Sequence, residues 1–367
     1  MGKIKLLAWP VLTAMLLTGC TSFLEGSYEA VSEHRFAAAE ETAAEVITVH
    51  TYAALKSAIL SMVRDHASSG VIRLQNYDGD PSTDASKAIS EVWQSAPLGA
   101  FAVEYFYHEK TQILSYYDLT LTINYRRSKE EIDSIISVYT ANGVKERLEN
   151  AAKSFDASIV LMGSGGILEE TFLRSILAAY YKENPLAMLL PPQMTVGFYP
   201  DMGAQRIAEI TLEYGFETAE LEEMLAQLQS AAQSVADEIG QRTPEEAVAA
   251  IAEVLTARVS LREEDVPDSG KGRLAATAYG ALVENTANSQ GVAIAYKALC
   301  GLLELECAVV EGKLADTVHY WDMVKLEDNW YHIDPMTANG ENPVLLWTDV
   351  NMLEAGYTWD MIIQAEG

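Results

Sequence analysis

The chain is poor in basic residues: its 367 positions hold 25 Lys and Arg against 53 Asp and Glu, for a net charge of −28 at pH 7. Proteins that bind nucleic acid neutralise phosphates with clustered Lys and Arg side chains, so this composition argues against a nucleic-acid partner. It also argues against adsorption to an anionic membrane surface. We interpret the acidity as a source of solubility.

A long uninterrupted apolar run is also missing, and the nearest approach is Leu6–Leu17, which Thr13 interrupts. A transmembrane helix needs about 20 apolar residues, so this run is too short to span a bilayer comfortably. Lys3 and Lys5 form a short basic start before it. A basic start followed by a short apolar run is typical of the core of a signal peptide.

The run ends in Leu17-Thr18-Gly19-Cys20, and this ending resembles a bacterial lipobox, in which the Cys is lipidated and becomes the new N-terminus. The resemblance predicts a signal peptide over 1–19 and lipidation at Cys20. It therefore predicts a protein anchored to the cell membrane on the extracytoplasmic face. Because one acyl chain binds a membrane only marginally, a stable anchor implies more than one. Residues 20–45 are polar and are interpreted as a tether.

Cysteine is scarce as well, and only Cys300 and Cys307 follow Cys20. An extracytoplasmic location permits a disulfide between these two residues, which would close a small loop between a helix end and a strand start. Two buried free thiols are the alternative.

From residue 46 onward the apolar residues alternate between the spacing of strands and that of helices. The pattern predicts a strand at 46–49, a helix at 52–66 and a strand at 71–74, and it predicts helix over most of 129–150. A second round begins with a strand at 158–162. This succession is typical of an α/β organisation.

Two short segments are alike in the two rounds. Thr122-Ile123-Asn124-Tyr125 and Thr211-Leu212-Glu213-Tyr214 are each followed at the same spacing by an acidic helix. Similar segments at similar places indicate a repeated structural unit. The sequence therefore predicts an N-terminal α/β region over 46–242, made of two lobes, 46–154 and 155–242, related as a tandem repeat.

A third region is predicted over 243–367. It starts at Thr243-Pro244-Glu245-Glu246, where Thr suits the N-cap, Pro the first helical position and the second Glu the third position of a capping box. A further amphipathic helix follows at residue 289, with Asn288 or Ser289 as its natural N-cap.

After this helix, residues 318–326 and 330–334 have the alternating pattern of a β-hairpin around Glu327-Asp328. With those two residues as the turn, Leu326 pairs with the first residue of the returning strand. Alternation then places His319, Trp321 and Asp334 on one face, with His319 and Asp334 as diagonal neighbours.

The segments NSQGVAIAYKALCGLLELECAVVEG and HYWDMVKLEDNWYHIDP resemble the core of bacterial transglutaminase-like domains, over about residues 275–359. In that family a Cys before a helix, a His at the head of one strand and an Asp on the next form a papain-like triad that acts on amide bonds. The resemblance implies an α+β fold, with His319 and Asp334 matching the family His and Asp. It implies protein or cell-wall peptides as partners, and no cofactor is expected.

The chain departs from the family at Ser289, where the motif has Cys, and Cys300 and Cys307 lie too far along the chain to replace it. A thiol starts near pKa ~8.5 and falls to about 3.5–7.5 at a helix N-terminus near a His. A Ser hydroxyl is far less acidic, so it needs a general base during attack and a well-placed oxyanion hole. His319 and Asp334 have the chemistry of such a base and its orienting group.

Three interpretations follow for Ser289, His319 and Asp334. In the first, Ser289 only caps a helix in a degenerate site, and the domain binds or scaffolds at the cell envelope. In the second, the three residues form a slow amide hydrolase or acyltransferase. In the third, the site has a chemistry that the family does not suggest. His332 lies close to Asp334 in sequence, but no ligand spacing marks a metal site and no metal is expected.

Overall fold

The computed structural model describes residues 46–262, 270–335 and 344–360. The predicted signal peptide, Cys20 and the tether lie outside these residues. Helices and sheets are mixed along the described chain, and the predicted α+β fold is confirmed. Within the same residues, no helix combines the length and apolar character needed to cross a membrane.

The first lobe is a four-stranded sheet with helices against one face. Its elements are β1 (Ile47–Val49), α1 (Tyr52–Arg64), β2 (Ser69–Gln75), α2 (Pro81–Ser95), α3 (Pro97–Ala102), β3 (Val103–Ile113) and β4 (Tyr116–Tyr125). The strand order is β1-β2-β4-β3, with β1 parallel to β2 and the other neighbours antiparallel. On β4, Leu119, Leu121 and Ile123 alternate into the core, as the two-residue period of a strand requires.

The second lobe repeats this arrangement after a short helix, α4 (Lys129–Asp133). Its elements are β5 (Ile136–Ser137), α5 (Ala141–Lys153), β6 (Ser158–Ser164), α6 (Glu170–Glu183), β7 (Gln193–Tyr199) and β8 (Gln205–Glu213). The strand order β5-β6-β8-β7 and the directions match those of the first lobe. Three pairs of elements begin 89 residues apart, at Tyr52 and Ala141, Ser69 and Ser158, and Pro81 and Glu170.

The prediction of helix over most of 129–150 is confirmed, but the helical residues fall into two helices with a short strand between them. The β-branched Ile136 pairs with Leu161 of β6, so β5 separates two helices. A new helix then begins after Thr140, whose hydroxyl accepts a bond from the backbone N–H of Gly143 at 3.0 Å. Thr51 caps α1 in the same way, again 89 residues earlier.

The C-terminal region is a five-stranded antiparallel sheet with helices on both faces. Helix α7 (Thr218–Ile239) leads into this region from the second lobe. The elements of the region are α8 (Pro244–Arg258), β9 (Ser260–Leu261), α9 (Gly270–Arg273), α10 (Ala278–Leu282), β10 (Thr286–Ala287), α11 (Ser289–Leu302), β11 (Cys307–Leu314), β12 (Thr317–Leu326), β13 (Asn329–Asp334), β14 (Val344–Trp347), α12 (Asp349–Glu354) and β15 (Tyr357–Trp359). The sheet order is β14-β13-β12-β11-β15, and α11 packs across β11 and β12. Helix α8 begins at the predicted capping box, where Thr243 and Glu246 bond to each other's backbone N–H groups.

The core of the second lobe is continuous with that of the C-terminal region. Leu161 of β6, Leu228 of α7, Val248 of α8 and Leu299 of α11 belong to one buried cluster. Helix α7 packs against α10 and α11, so it connects the two parts. The domain boundary at residue 243 stays a prediction. A boundary there runs through a hydrophobic core that the second lobe shares with the C-terminal region.

Candidate functional site

The start of α11 is held close to the preceding loop. The Asn288 side chain accepts a bond from the backbone N–H of Gly291 at 3.0 Å, so Asn288 is the N-cap and Ser289 is the first helical residue. A Cβ on Gly291 would lie 2.3 Å from the carbonyl oxygen of Ala275, so only glycine fits this approach. Of the two predicted N-caps, Asn288 therefore takes this role, and the hydroxyl of Ser289 serves another contact.

That contact is with the central strand of the sheet. Ser289 Oγ accepts a hydrogen bond from the backbone N–H of Tyr320 at 3.2 Å. Strand β13 pairs with β12 only as far as Ile333 opposite Asp322, so no β13 residue is paired with β12 at Tyr320. The Ser289 hydroxyl therefore provides the hydrogen-bond acceptor that the backbone N–H of Tyr320 lacks within the sheet. Ser289 is only 5% exposed.

The hairpin that carries His319 and Asp334 has the predicted register. Leu326 pairs with Asn329 on either side of the two-residue turn, and Asp322 pairs with Ile333. His319 Nε2 lies 2.7 Å from Asp334 Oδ2, which confirms that the two residues are neighbours on one face. Both side chains are buried. The catalytic role of His319 and Asp334 stays a prediction.

The direction of this hydrogen bond defines what the imidazole can do. A carboxylate only accepts hydrogen bonds, so Nε2 carries the proton in the His319–Asp334 bond. The lone pair of the neutral ring then lies on Nδ1, which is the nitrogen that can take a proton from a hydroxyl or a ligand. The same geometry serves a general base or a static acceptor.

A second donor to Asp334 was missed by the sequence analysis. The phenol of Tyr357, on β15, donates to Asp334 Oδ2 at 2.8 Å. Burial, with the nearby Asp334 charge as the next cause, raises the pKa of Tyr357, so its hydroxyl stays protonated as a donor. The signal was weak because β15 pairs with β11, more than 40 residues earlier in the chain.

An aromatic cluster packs against the His319 ring. Trp321 is fully buried, and its ring stacks on His319 with 6.2 Å between ring centroids and an interplanar angle of 23°. The indole Nε1–H donates to His332 Nδ1 at 2.9 Å, and His332 Nε2 lies 2.9 Å from Asp349 Oδ1. His332 is therefore engaged on both nitrogens. Within the described residues, no group of three or more His, Cys, Asp or Glu side chains has the arrangement of a metal site.

The opposite face of β12 carries a buried acid. Asp322 is fully buried, its Oδ1 lies 3.5 Å from Cys307 Sγ, and its Oδ2 has no hydrogen-bond partner among the described residues. Burial raises the pKa of Asp322 well above its usual range, and Cys307 reinforces this. We therefore expect a neutral carboxyl here at pH 7, because an unpaired buried charge is costly.

Cys300 and Cys307 are both free and buried in the structure. Of the two alternatives for this pair, the structure has the free thiols and not the disulfide. Burial raises the pKa of Cys307 well above that of an ordinary thiol, with the neighbouring Cys300 as the next cause. Such a thiol is a poor nucleophile at neutral pH, so Cys307 does not replace the Cys that the family motif places at Ser289.

Comparisons with known proteins find no protein-family model and no curated protein that match the chain. It is similar to six chains of solved structures, which include the following two. One is a protein described as a TGase, with 12% identity and a TM-score of 0.30, covering 61% of this chain and 65% of the other. The second is a "putative cysteine protease" from Cytophaga hutchinsonii, with 13% identity and a TM-score of 0.26, covering 42% of this chain and 66% of the other.

This chain thus spans less than two thirds of the length of each of the two solved chains. Likenesses this distant show nothing about activity.

Proposed function

We propose that the protein is a lipid-anchored protein of the cell envelope with a transglutaminase-like, papain-like C-terminal domain. In this proposal the domain binds protein or cell-wall peptides and does not cleave them. The residues that correspond to a catalytic triad, Ser289, His319 and Asp334, serve as an inherited structural set. The domain then acts as a binding or scaffolding module.

One observation carries this proposal: the Ser289 hydroxyl is buried and engaged as an acceptor for a strand N–H. A hydroxyl accepts such a bond well, whereas a thiol is a weak acceptor. Oxygen at this position therefore suits a structural contact between α11 and β12. For catalysis, a peptide amide would have to reach Ser289 Oγ, but Ser289 is 5% exposed and His319 is 7% exposed.

The solvent-facing neighbours of the site offer a surface for a peptide. Val318 and Tyr320 flank His319 in sequence and point to the opposite face of β12. Val318 is exposed, and the ring of Tyr320 is half-buried under the ammonium of Lys182, at 5.8 Å from the ring centroid, where Lys182 also pairs with Glu311. An exposed apolar residue next to an aromatic ring and a cation fits an extended chain with mixed side chains. We expect Val318→Asp to weaken binding of soluble cell-wall peptides without a change in thermal stability.

The catalytic alternative is tested with a serine-directed fluorophosphonate probe on the full chain purified in detergent. The binding proposal expects no labelling at Ser289 and no peptide cleavage by Ser289→Cys. Ser289→Ala serves as the control for labelling elsewhere. Labelling at Ser289 that is lost in His319→Gln, with the fold intact by circular dichroism, would overturn the binding proposal.

A second candidate function is a Ser-His-Asp amide hydrolase or acyltransferase on protein or cell-wall peptides. Two observations favour it. The short His319–Asp334 hydrogen bond places the basic lone pair of the imidazole on Nδ1. Ser289 lies in the first turn of α11, at the positive end of the helix dipole. Its signature would be slow turnover that disappears in Ser289→Ala. It would also predict a covalent acyl-enzyme that mass spectrometry detects on Ser289.

The anchoring part of the proposal rests on the sequence around Cys20 and is tested separately. We expect the wild-type chain to partition into the membrane fraction and to incorporate a labelled fatty acid. Cys20→Ala should abolish both. Retention of the label in Cys20→Ala would contradict lipidation at this residue.

A further inference from the structure

A second buried His–Asp pair lies beneath the His319 site. His332 is fully buried on β13, and its Nε2 lies 2.9 Å from Oδ1 of Asp349, at the first position of α12. Its other nitrogen, Nδ1, accepts from the indole of Trp321 at 2.9 Å. Trp321 in turn stacks on His319. A continuous path of contacts therefore leads from Asp349 to the imidazole of the candidate site.

The indole fixes the tautomer of His332. An indole N–H is a donor only, so Nδ1 must be unprotonated in the Trp321–His332 bond. The neutral ring then carries its proton on Nε2 and donates it to Asp349. A doubly protonated His332 would place an N–H against the N–H of Trp321, and the bond between the two rings would be lost.

We propose that His332 is a proton-sensitive positioning residue. In its neutral form it holds Trp321 against His319, and its protonation releases Trp321 and thereby the support of the His319 ring. The inference concerns regulation of the site put forward under the proposed function. It does not depend on whether Ser289 is catalytic.

The groups around the His332 ring determine the pH at which His332 is protonated. Asp349 is the charged group that faces it from α12, and it favours the imidazolium. The residues that contact its ring from β12 and β15, Trp321 and Trp359, are neutral. Trp347, which pairs with it from β14, is neutral too. Burial, the largest cause, outweighs Asp349 and lowers the pKa of His332, so the transition is expected below its ordinary value of 6.5.

The rest of the ring cluster explains why the effect would reach the site. Trp321 also contacts Tyr357 edge-on, with 5.2 Å between centroids, and the Tyr357 phenol is the second donor to Asp334. A movement of Trp321 therefore disturbs the packing of both the His319 ring and the Tyr357 ring, which donates to Asp334. Close packing makes such a shift a discrete change between two arrangements.

The test is a pH titration, by NMR, of the full chain labelled with ¹⁵N in Trp and His and purified in detergent. Trp321→Phe identifies the indole resonance of Trp321. As pH falls below 6.5, we expect this resonance to move upfield, because its N–H loses an acceptor, with a parallel change in the His319 Nε2–H signal. Circular dichroism confirms that the fold persists across the titration.

Three variants make the inference falsifiable. His332→Asn keeps an acceptor oxygen near the position of Nδ1, so the Trp321 resonance should stay hydrogen-bonded and become independent of pH. Asp349→Asn keeps an acceptor for Nε2–H but removes the charge, so the transition should move to lower pH. His108→Asn, on β3 of the first lobe, removes another His whose pKa is lowered by burial, and it should leave the transition unchanged.

Three results would overturn the inference, and two of them concern the Trp321 resonance itself. One is a Trp321 resonance that does not respond to pH in the wild type, and the other is a transition that persists in His332→Asn. A His319 signal that stays constant while Trp321 moves would equally refute the positioning role. Labelling of Ser289 by the serine-directed probe, in contrast, would overturn the proposed binding function and leave this inference standing.

Discussion

The two N-terminal lobes share a topology, yet their outer sheet faces differ in chemistry. In the first lobe, Arg73 on β2 and Asp118 on β4 face each other and form a two-bonded ion pair at 2.9 and 3.0 Å. At the matching positions of the second lobe, Met162 faces Ile207. Ile207 is fully buried, and it belongs to the core of the first lobe.

The reason for the difference is that the first lobe covers the outer face of the second. Phe101 of α3 meets Tyr199 of β7 edge-on, with 5.4 Å between ring centroids. Arg127 lies over Phe101 and donates to Glu209 of β8 at 2.6 Å. The outer face of the first lobe carries no such cover from the described residues. The common fold is thus set by the helix-facing residues, while the outer face follows the neighbour that each lobe has.

The largest expected effect comes from placing the residue of the first lobe into the second, as Ile207→Asp. The carboxylate would be buried between the lobes without a partner, and such a charge costs about 3–5 kcal/mol. We expect a corresponding fall in the urea midpoint, measured by circular dichroism. Ile207→Val is the matched control, with a cost of about 1 kcal/mol. A cost for Ile207→Asp no larger than that of Ile207→Val would show that the face between the lobes is open to water.

The contrast between the lobes also indicates how far sequence patterns lead. The hairpin register at Leu326 and Asn329 and the capping box at Thr243 were predictable, because each depends on neighbours within a few residues of the chain. The repeat was visible at residues 122–125 and 211–214. The full burial of Ile207 was not predictable from the sequence, because it depends on a segment about a hundred residues earlier in the chain.

The candidate site has the same division between local and distant information. Alternation along β12 and β13 placed His319 beside Asp334, which the 2.7 Å bond confirms. Tyr357 and Asp349 were missed because they reach the site from strands and helices that pair across distant parts of the chain. The contact between Ser289 and Tyr320 was missed as well, since no periodicity reports where a sheet edge meets a helix start.

A medium effect is expected at the polar contact between the lobes. Arg127→Met keeps most of the side-chain length but removes the bonds to Glu209 and to Tyr199, at 2.6 and 3.4 Å. Both partners of the ion pair are partly exposed, so after solvent screening we expect a cost of about 1–2 kcal/mol. Hydrogen exchange should report faster opening of the first lobe, whereas the core of the second lobe stays protected.

The control for this experiment is Lys129→Met, at an exposed ion pair with Asp133 within α4. Its expected effect is close to zero, because exposed pairs one helical turn apart contribute about 0.3–0.5 kcal/mol. Equal losses for Arg127→Met and Lys129→Met would mean that Arg127 does not join the lobes.

A smaller effect separates two matching tyrosines, Tyr125 and Tyr214, at the ends of β4 and β8. The Tyr125 hydroxyl donates to the carbonyls of Met62 and Ala67 at 3.1 and 3.0 Å, whereas the Tyr214 hydroxyl is buried with no partner among the described residues. We expect Tyr125→Phe to cost about 1 kcal/mol, because the one O–H proton shared between the two carbonyls is lost. Tyr214→Phe should be neutral or stabilising. Thermal unfolding of the two variants in parallel checks this, and the reverse order of stabilities would contradict it.

The smallest effect on stability is expected on the outer face of the first lobe. The double variant Arg73→Met and Asp118→Ile gives this face the residues of the second lobe. The ion pair that it removes has side chains 31% and 15% exposed, so the loss should stay within about 1 kcal/mol. The new apolar patch has no covering lobe, and exposed patches of this kind promote association. Sedimentation velocity should therefore detect concentration-dependent oligomers in the double variant and not in the wild type. A variant that stays as monodisperse as the wild type would mean that the outer face does not need its charges to remain uncovered.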